Sequence, residues 1–157
     1  MGGPVVSEEV RAIIERLDLA PHPEGGFYRQ TWRSPVELAV AGLPAGYPGP
    51  RPAMTSILFL LPTGATSRLH RVRSEELWLH HQGDDLLLGI GESLDAARAD
   101  AGRRRLGQGR DAALQAMVPA GHWQTATALE GTSGYALVGC VVAPGFDFED
   151  FEMLDGD

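Results

Sequence analysis

Between Thr55 and Val142 the chain repeats one pattern, a short β-prone run followed by a turn built on Gly, Pro, Ser or Asp. Thr55–Leu61 is closed by Pro62-Thr63-Gly64, and Ser67–Val72 and Glu76–His81 flank Arg73-Ser74-Glu75. Gln82-Gly83-Asp84 leads into Asp85–Ile90, Ala113–Val118 turns at Pro119-Ala120-Gly121 into His122–Ala128, and Gly134–Val142 follows. Each such strand must bury one face against another layer, so the pattern restricts the chain to a β-sandwich or barrel. Phe27–Arg33 reads as a further strand ahead of this array. Ser7–Leu19 reads as the one clear helix: Val10, Ile13, Ile14 and Leu17 fall on one stripe, Ser7 can cap it, and Glu8 and Glu9 suit the positive end of its dipole.

The connecting segments carry weaker signals. Ser34–Pro52, rich in Gly, Pro and Ala, reads as a surface loop or lid. Gly91–Gly102 reads as a loop with a helical turn at Asp95–Ala101, and Arg103–Leu106 as a short basic edge strand. The tail Phe146–Glu152 alternates aromatic and acidic residues, and reads as a strand that packs Phe146 and Phe148 against a core or a partner subunit.

A length of 157 residues suits one domain, expected over 1–157, and 43% hydrophobic with 22% charged residues is a soluble globular profile. The net charge of −8 argues against nucleic-acid and anionic-membrane partners. Cys140 is the only cysteine, so no internal disulfide can form, and its apolar run Ala136–Val142 marks it as a small buried residue. The N-terminus, MGGPVVSEEV, lacks a basic region followed by an apolar core, and runs such as Ile57–Leu61 fall far short of the roughly 18 residues of a membrane helix. A cytoplasmic location is expected. No P-loop, dinucleotide fingerprint, heptad or internal repeat is present.

Chemistry-bearing residues concentrate in Gly64–Gly83 and Val118–Gln124. Gly64, His70, Glu76 and Gly83 fall at the spacing of the first cupin motif, G(X)5HXH(X)3,4E(X)6G, with Val72 at its second histidine. In the second motif, G(X)5PXG(X)2H(X)3N, Pro119 and Gly121 are in place and Gln124 holds the histidine position. Ala113 and Ala128 replace the terminal glycine and asparagine. The blocks PHPEGGFYRQTW, TSILFLL, SRLHRVRSEELW, VPAGHWQ and ALVGCVVAPGFDFEDFEML make the chain similar to a narrower family of small stand-alone cupins with no settled activity, over most of Leu19–Leu154. The resemblance implies a mainly all-β fold, a double-stranded β-helix or jelly-roll barrel. Its barrel would span about 26–154 behind a short helix at about 8–17. It also implies a homodimer, and a fold shared with sugar-nucleotide epimerases that work without metal.

Three readings of the site stay open. Cupin sites often hold a divalent ion on three histidines and one glutamate, so His70 and Glu76, with Gln124 or His122, are candidate ligands of a divalent metal. Without a metal, His70 can act as a general base, Glu76 can orient it or act itself, and Tyr135 can supply a proton, as isomerisation or epimerisation of a keto-sugar requires. As a non-catalytic module, the barrel would bind a small molecule among Phe27, Phe59, Trp78 and Trp123. Glu24, Arg29, Arg68, Trp78, His80, His122 and Gln124 are the candidate ligand contacts. In that set Arg29 and Arg68 would meet a carboxylate or phosphate, and Glu24 would close the mouth. His80 shares strand parity with Glu76 and Trp78, and His122 shares it with Gln124.

Overall fold

The computed structural model describes residues 6–155; the extreme N-terminus, expected to carry no signal peptide, begins outside them. The helix forms where the apolar stripe predicts it, as α1 (Glu8–Arg16), with the Ser7 hydroxyl accepting from the Val10 amide at 3.2 Å. The strands are β1 (Ala20–Pro21), β2 (Phe27–Arg33), β3 (Glu37–Leu38), β4 (Arg51–Pro52), β5 (Thr55–Pro62), β6 (Thr66–Val72) and β7 (Glu75–Gly83). They continue with β8 (Leu86–Gly91), β9 (Arg103–Leu106), β10 (Gln115–Val118), β11 (Trp123–Ala128), β12 (Tyr135–Ala143) and β13 (Phe151–Met153). A short α2 (Leu94–Arg98) links β8 to β9.

Two antiparallel sheets face each other in a jelly roll. One runs β1-β2-β5-β12-β7-β10 and the other β13-β6-β11-β8-β9. The sheets are not closed into a continuous barrel. Strand alternation sends Phe59 and Leu61 of β5, Trp78 of β7, Leu86 and Leu88 of β8 and Val138 of β12 into the space between them. Leu106 and Val118 join this core from β9 and β10.

The outer faces are covered by the two helices. Val10 and Ile13 of α1 pack on Leu60, Tyr135 and Leu137, with Phe27 and Leu58 at the margin. Ala97 of α2 packs on Leu69 and Trp123. The α2 backbone lies so close to β8 that a Cβ at Gly91 would collide with the Ala97 amide nitrogen, so that approach requires glycine.

Two segments differ from the expectation drawn from the sequence. Ser34–Pro52 is not an unstructured strip: it holds the β3–β4 pair and a 3-10 turn at Val40–Gly42, and buries Tyr47 and Arg51. The tail is not one strand either. The Asp147 carboxylate accepts from the Glu149 amide at 2.9 Å and starts a 3-10 turn, Phe148–Asp150, before β13 pairs with β6. That local cap breaks the period-2 alternation the sequence displays.

Candidate functional site

A cavity of about 280 Å³ lies between the sheets at one end of the jelly roll. Its floor is built from the inward face of β7 and the strands beside it. Glu76 of β7 pairs across to Val142 of β12, which pairs in turn with Thr55 of β5, and all three side chains line the cavity. One step along, Cys140 of β12 stands opposite Ile57 of β5, and both line it too.

Glu24 enters from the turn before β2. Gly25 has φ +109, and a Cβ there would strike the Thr66 carbonyl, so this glycine lets the turn lie against β6. The Arg68 amide donates to the Glu24 carbonyl at 2.7 Å and fixes the turn. The Ser67 hydroxyl donates to Glu24 Oε1 at 3.0 Å, and Glu24 Oε2 lies 3.1 Å from His70 Nε2. His70 Nδ1 lies 2.7 Å from the Arg68 carbonyl. A carbonyl only accepts, so Nδ1 carries a hydrogen and one further proton is shared between Glu24 and His70 Nε2. Burial pushes Glu24 up to about 8, against the Ser67 hydrogen bond, and burial pushes His70 down. Both directions put the shared proton on Glu24.

His22 stands behind this pair. Its Nδ1 accepts from the Glu24 amide at 3.1 Å, so its 3.7 Å approach to Glu24 Oε2 is no ion pair. Burial, then the neighbouring His70, lowers it to about 4.

Glu76 belongs to a separate network. Gln124 Nε2 donates to Glu76 Oε2 at 2.7 Å, and Trp78 Nε1 donates to Gln124 Oε1 at 2.9 Å. The Cys140 thiol lines the same cavity beside the Glu76 carboxyl. Burial pushes Glu76 up to about 7, helped by Glu24 and opposed by His70, Gln124 and Cys140. Burial, with Glu76 and Glu24 adding to it, raises the thiol well above its usual range.

Aromatic rings roof the cavity. The Phe146 and Phe148 centroids lie 4.9 Å apart, Phe148 and Phe151 5.8 Å, and the Phe151 ring sits 5.5 Å from that of His70. Tyr28 meets His22 edge-on at 4.5 Å. The roof is tied down by Arg51, whose Nε and Nη2 donate to the two oxygens of Asp150 at 2.8 and 3.1 Å. Arg73 Nε donates to the same carboxylate at 3.1 Å.

The structure thus brings together Glu24, His70 and Glu76, with Gln124 immediately beneath Glu76. It does not bring the other expected residues to the cavity. Tyr135 points to the outer face against α1, where its hydroxyl accepts from Gln82 Nε2. Arg29 Nε donates to the Leu17 carbonyl at 2.7 Å, and Arg68 Nη2 donates to the Pro23 carbonyl. Trp78 and Phe59 fill the core, Phe27 packs under α1 and Trp123 against α2. His80 does share the face of Glu76, but four residues along a strand is roughly 13 Å. At that end it bonds the Asp84 carbonyl and Gln108. His122 sits in the turn before β11 begins at Trp123, so strand alternation does not direct it inward, and it borders a surface depression beside Arg103–Arg105.

The sequence reading missed His22, Tyr28, Gln30, Thr55, Ile57, Val142 and Phe151 as cavity residues, and placed Cys140 only as buried. Parity with Glu76 across β12 and β5 is the signal that would have found Thr55, Cys140 and Val142. The phenylalanine roof depends on the 3-10 turn, which the alternation conceals.

The donors do not fit a divalent ion as they stand. His70 is engaged at both ring nitrogens, and both ends of the Gln124 amide are taken by Trp78 and Glu76. Among the described residues no three His, Cys, Asp or Glu side chains are grouped to hold a metal ion.

The fold is shared with known structures. A hypothetical protein from Leishmania major is 35% identical with TM-score 0.74, over 92% of this chain and 86% of its own. A protein from Shewanella oneidensis is 32% identical with TM-score 0.74, over 94% and 85%. Oxalate decarboxylase from Bacillus subtilis, described with Mn(II) centres, shares the fold at 20% identity and TM-score 0.54, over 87% of this chain and 30% of its own. No curated protein matches. The family model described as cupin superfamily (DUF985) matches residues 11–154, and the chain belongs to that family.

Proposed function

We propose that the chain binds a small molecule in this cavity and moves a proton on it without a metal, as a sugar-type isomerase or epimerase does. The observation that carries this reading is a pair of acid/base groups at one cavity floor, each held by its own network. The Glu24–His70 pair shares a proton and is fixed by Ser67 and the Arg68 backbone. Glu76 is fixed by Gln124, itself held by Trp78. A carboxyl brought to about 7 divides between base and acid near neutrality, which suits a group that must both take and return a proton.

In such a reaction Glu76 takes a proton from a carbon next to a carbonyl, and the Glu24–His70 pair gives one to the opposite face of that carbon in an epimerisation, or to the former carbonyl carbon in an isomerisation, where the adjacent hydroxyl proton passes to the carbonyl oxygen. Electrons and protons balance within the substrate and the two groups, with no oxidant needed. The sequence contains no lysine, so carbonyl activation through a Schiff base is not open to these residues. The reading also keeps the chain as one domain, the homodimer that the family resemblance implies, a cytoplasmic setting, and no nucleic-acid or membrane partner. No helix among the described residues is long and apolar enough to cross a membrane.

The test begins with thermal stabilisation by keto-sugars, sugar nucleotides, nucleobases and small acids. Each compound that stabilises the protein is then held in deuterium oxide and followed by proton NMR. Loss of a C–H signal beside a carbonyl is expected, with a rate that falls about 100-fold or more in Glu76→Gln while binding persists. Ligands that bind without any deuterium entry would leave a non-catalytic binding module. Near-stoichiometric metal that disappears in Glu76→Ala would replace this reading with a metal-dependent enzyme.

A further inference from the structure

From the composition of the cavity wall we propose that its ligand is a small organic cation, carrying a protonated amine or similar nitrogen between the buried carboxyls and the phenylalanine roof. This rests on the cavity being the ligand site, as proposed above, and not on any reaction occurring there.

The first argument is charge. Glu24 and Glu76 both line the cavity, and no arginine does. The nearby arginines are spent elsewhere: Arg29 on Leu17, Arg68 on Pro23, and Arg51 and Arg73 on Asp150. Buried carboxyls are ordinarily matched by a cation. Here the partners are a serine hydroxyl, a glutamine amide and imidazole. His22 adds no charge, because its Nδ1 accepts from the Glu24 amide. Burial keeps protons on these acids instead, and with no fixed cation facing them an entering ammonium takes the proton's place as their partner. A carboxylate or phosphate ligand would find no fixed cation in the wall, and it would hold the two carboxyls in their protonated forms, which counts against the anionic ligands that Arg29 and Arg68 suggest from sequence.

The second argument is the shape and electronics of the roof. Phe146 and Phe148 meet at 81°, Phe148 and Phe151 at 75°, and Phe146 and Phe151 at 73°. Three rings nearly perpendicular to one another make the corner of a box rather than a stack. Tyr28 lines the same cavity. Aromatic faces carry negative potential and hold ammonium groups, so roof and floor favour the same charge. A neutral sugar would use the carboxyls as hydrogen-bond partners but would gain nothing of that kind from three phenylalanines.

The experiment uses three probes of one shape and three charges, benzylamine, benzyl alcohol and benzoate, titrated into the full-length protein at neutral pH by calorimetry. Benzylamine is expected to bind about tenfold or more tightly than benzyl alcohol, with benzoate weakest. In Glu76→Gln the preference for the amine over the alcohol should collapse toward unity. Circular dichroism reports whether that variant folds, and Glu24→Gln serves the same purpose if it does not. Failure of benzylamine to bind, equal or tighter binding of the alcohol or benzoate, or an unchanged preference in a folded variant would each overturn the proposal. Binding alone is read here and deuterium entry alone above, so either reading can fail without the other.

Discussion

The inward face of β7 carries Glu76, Trp78 and His80 in succession, and the three meet different surroundings. At Glu76 the space between the sheets is a cavity, at Trp78 it is filled, and at His80 it closes on the Asp84 carbonyl and Gln108. The same change runs along the neighbours. On β5, Thr55 and Ile57 line the cavity while Phe59 and Leu61 are core, and on β12 Cys140 and Val142 line it while Val138 and Ala136 are core. One half of the jelly roll is packed so that the other half can hold open, polar and buried groups. The difference lies in side-chain size and polarity at alternate positions, not in backbone architecture.

The most severe way to break this division is to empty the packed half. Trp78→Ala removes a side chain that is 1% exposed, along with the donor that holds Gln124. A loss of about 3–5 kcal/mol is expected, read as a lower urea midpoint. The cavity half should respond in kind, because Gln124 would no longer be oriented to donate to Glu76. A small change in midpoint would mean that the two halves are less coupled than the hydrogen bonds indicate.

The roof provides the next test. Asp150→Ala leaves the buried Arg51 guanidinium with its hydrogen bond to the Pro50 carbonyl at 2.8 Å and weaker ionic contacts, at 3.3 Å to Glu149 and 3.9 Å to Asp147. Removing one partner of a buried pair costs about 3 kcal/mol when the remaining charge is partly compensated. Because Asp150 anchors the turn bearing Phe148, any ligand of the cavity should also be released faster. Loss of stability with unchanged ligand release would show that the clasp serves the fold alone.

The polar half should also leave a signature in pH. Glu24 and Glu76 have folded values of about 8 and about 7 against an ordinary 4.5, so the folded state holds protons that the unfolded state has released. Stability from these groups is full below 4.5 and falls as pH rises through 7 and 8. His22 and His70 act in the opposite sense: lowered in the fold, they make stability rise with pH up to about their ordinary 6.5 and add nothing beyond it. The two effects oppose each other below 6.5, and between 6.5 and 8 only the carboxyls remain. The urea midpoint is therefore expected to fall across that upper window. Glu24→Gln should flatten the fall, since an amide can still donate to His70 and accept from Ser67. A midpoint that rises or stays level from 6.5 to 8 in the unaltered protein would contradict the buried neutral state of these acids.

Much of the packed half is legible in the sequence because packing there follows period-2 alternation. Phe27–Arg33, Thr55–Leu61 and Ser67–Val72 read as strands and form them within a residue or so. His70 and Glu76 were legible by the glycine spacing of the cupin motif. What the sequence did not display are interactions set by three-dimensional closure. Glu24 meets His70 because Gly25 allows a turn to lie against β6, a contact across a separation of 46 positions that no local pattern encodes. Arg51 and Asp150 meet across an even greater separation, 99 positions. Tyr135 shows the opposite failure. Its strand is legible in the sequence, but the face it occupies depends on register against β5 and β7, and a one-residue shift in parity sends a side chain outward.

Tyr135 accordingly supplies the mildest and sharpest test of the comparison. Its ring is buried against Leu60, Leu137 and α1, outside both the cavity and the inner core, and its hydroxyl accepts from Gln82. Tyr135→Phe keeps the ring and removes that hydrogen bond, for a loss of about 1 kcal/mol in urea unfolding. Benzylamine affinity and deuterium entry should both stay within about twofold of the unaltered protein. A large fall in either would mean that the outer sheet face, and not only the cavity beneath it, takes part in function. The division between a packed structural half and a polar working half would then have to be redrawn around α1.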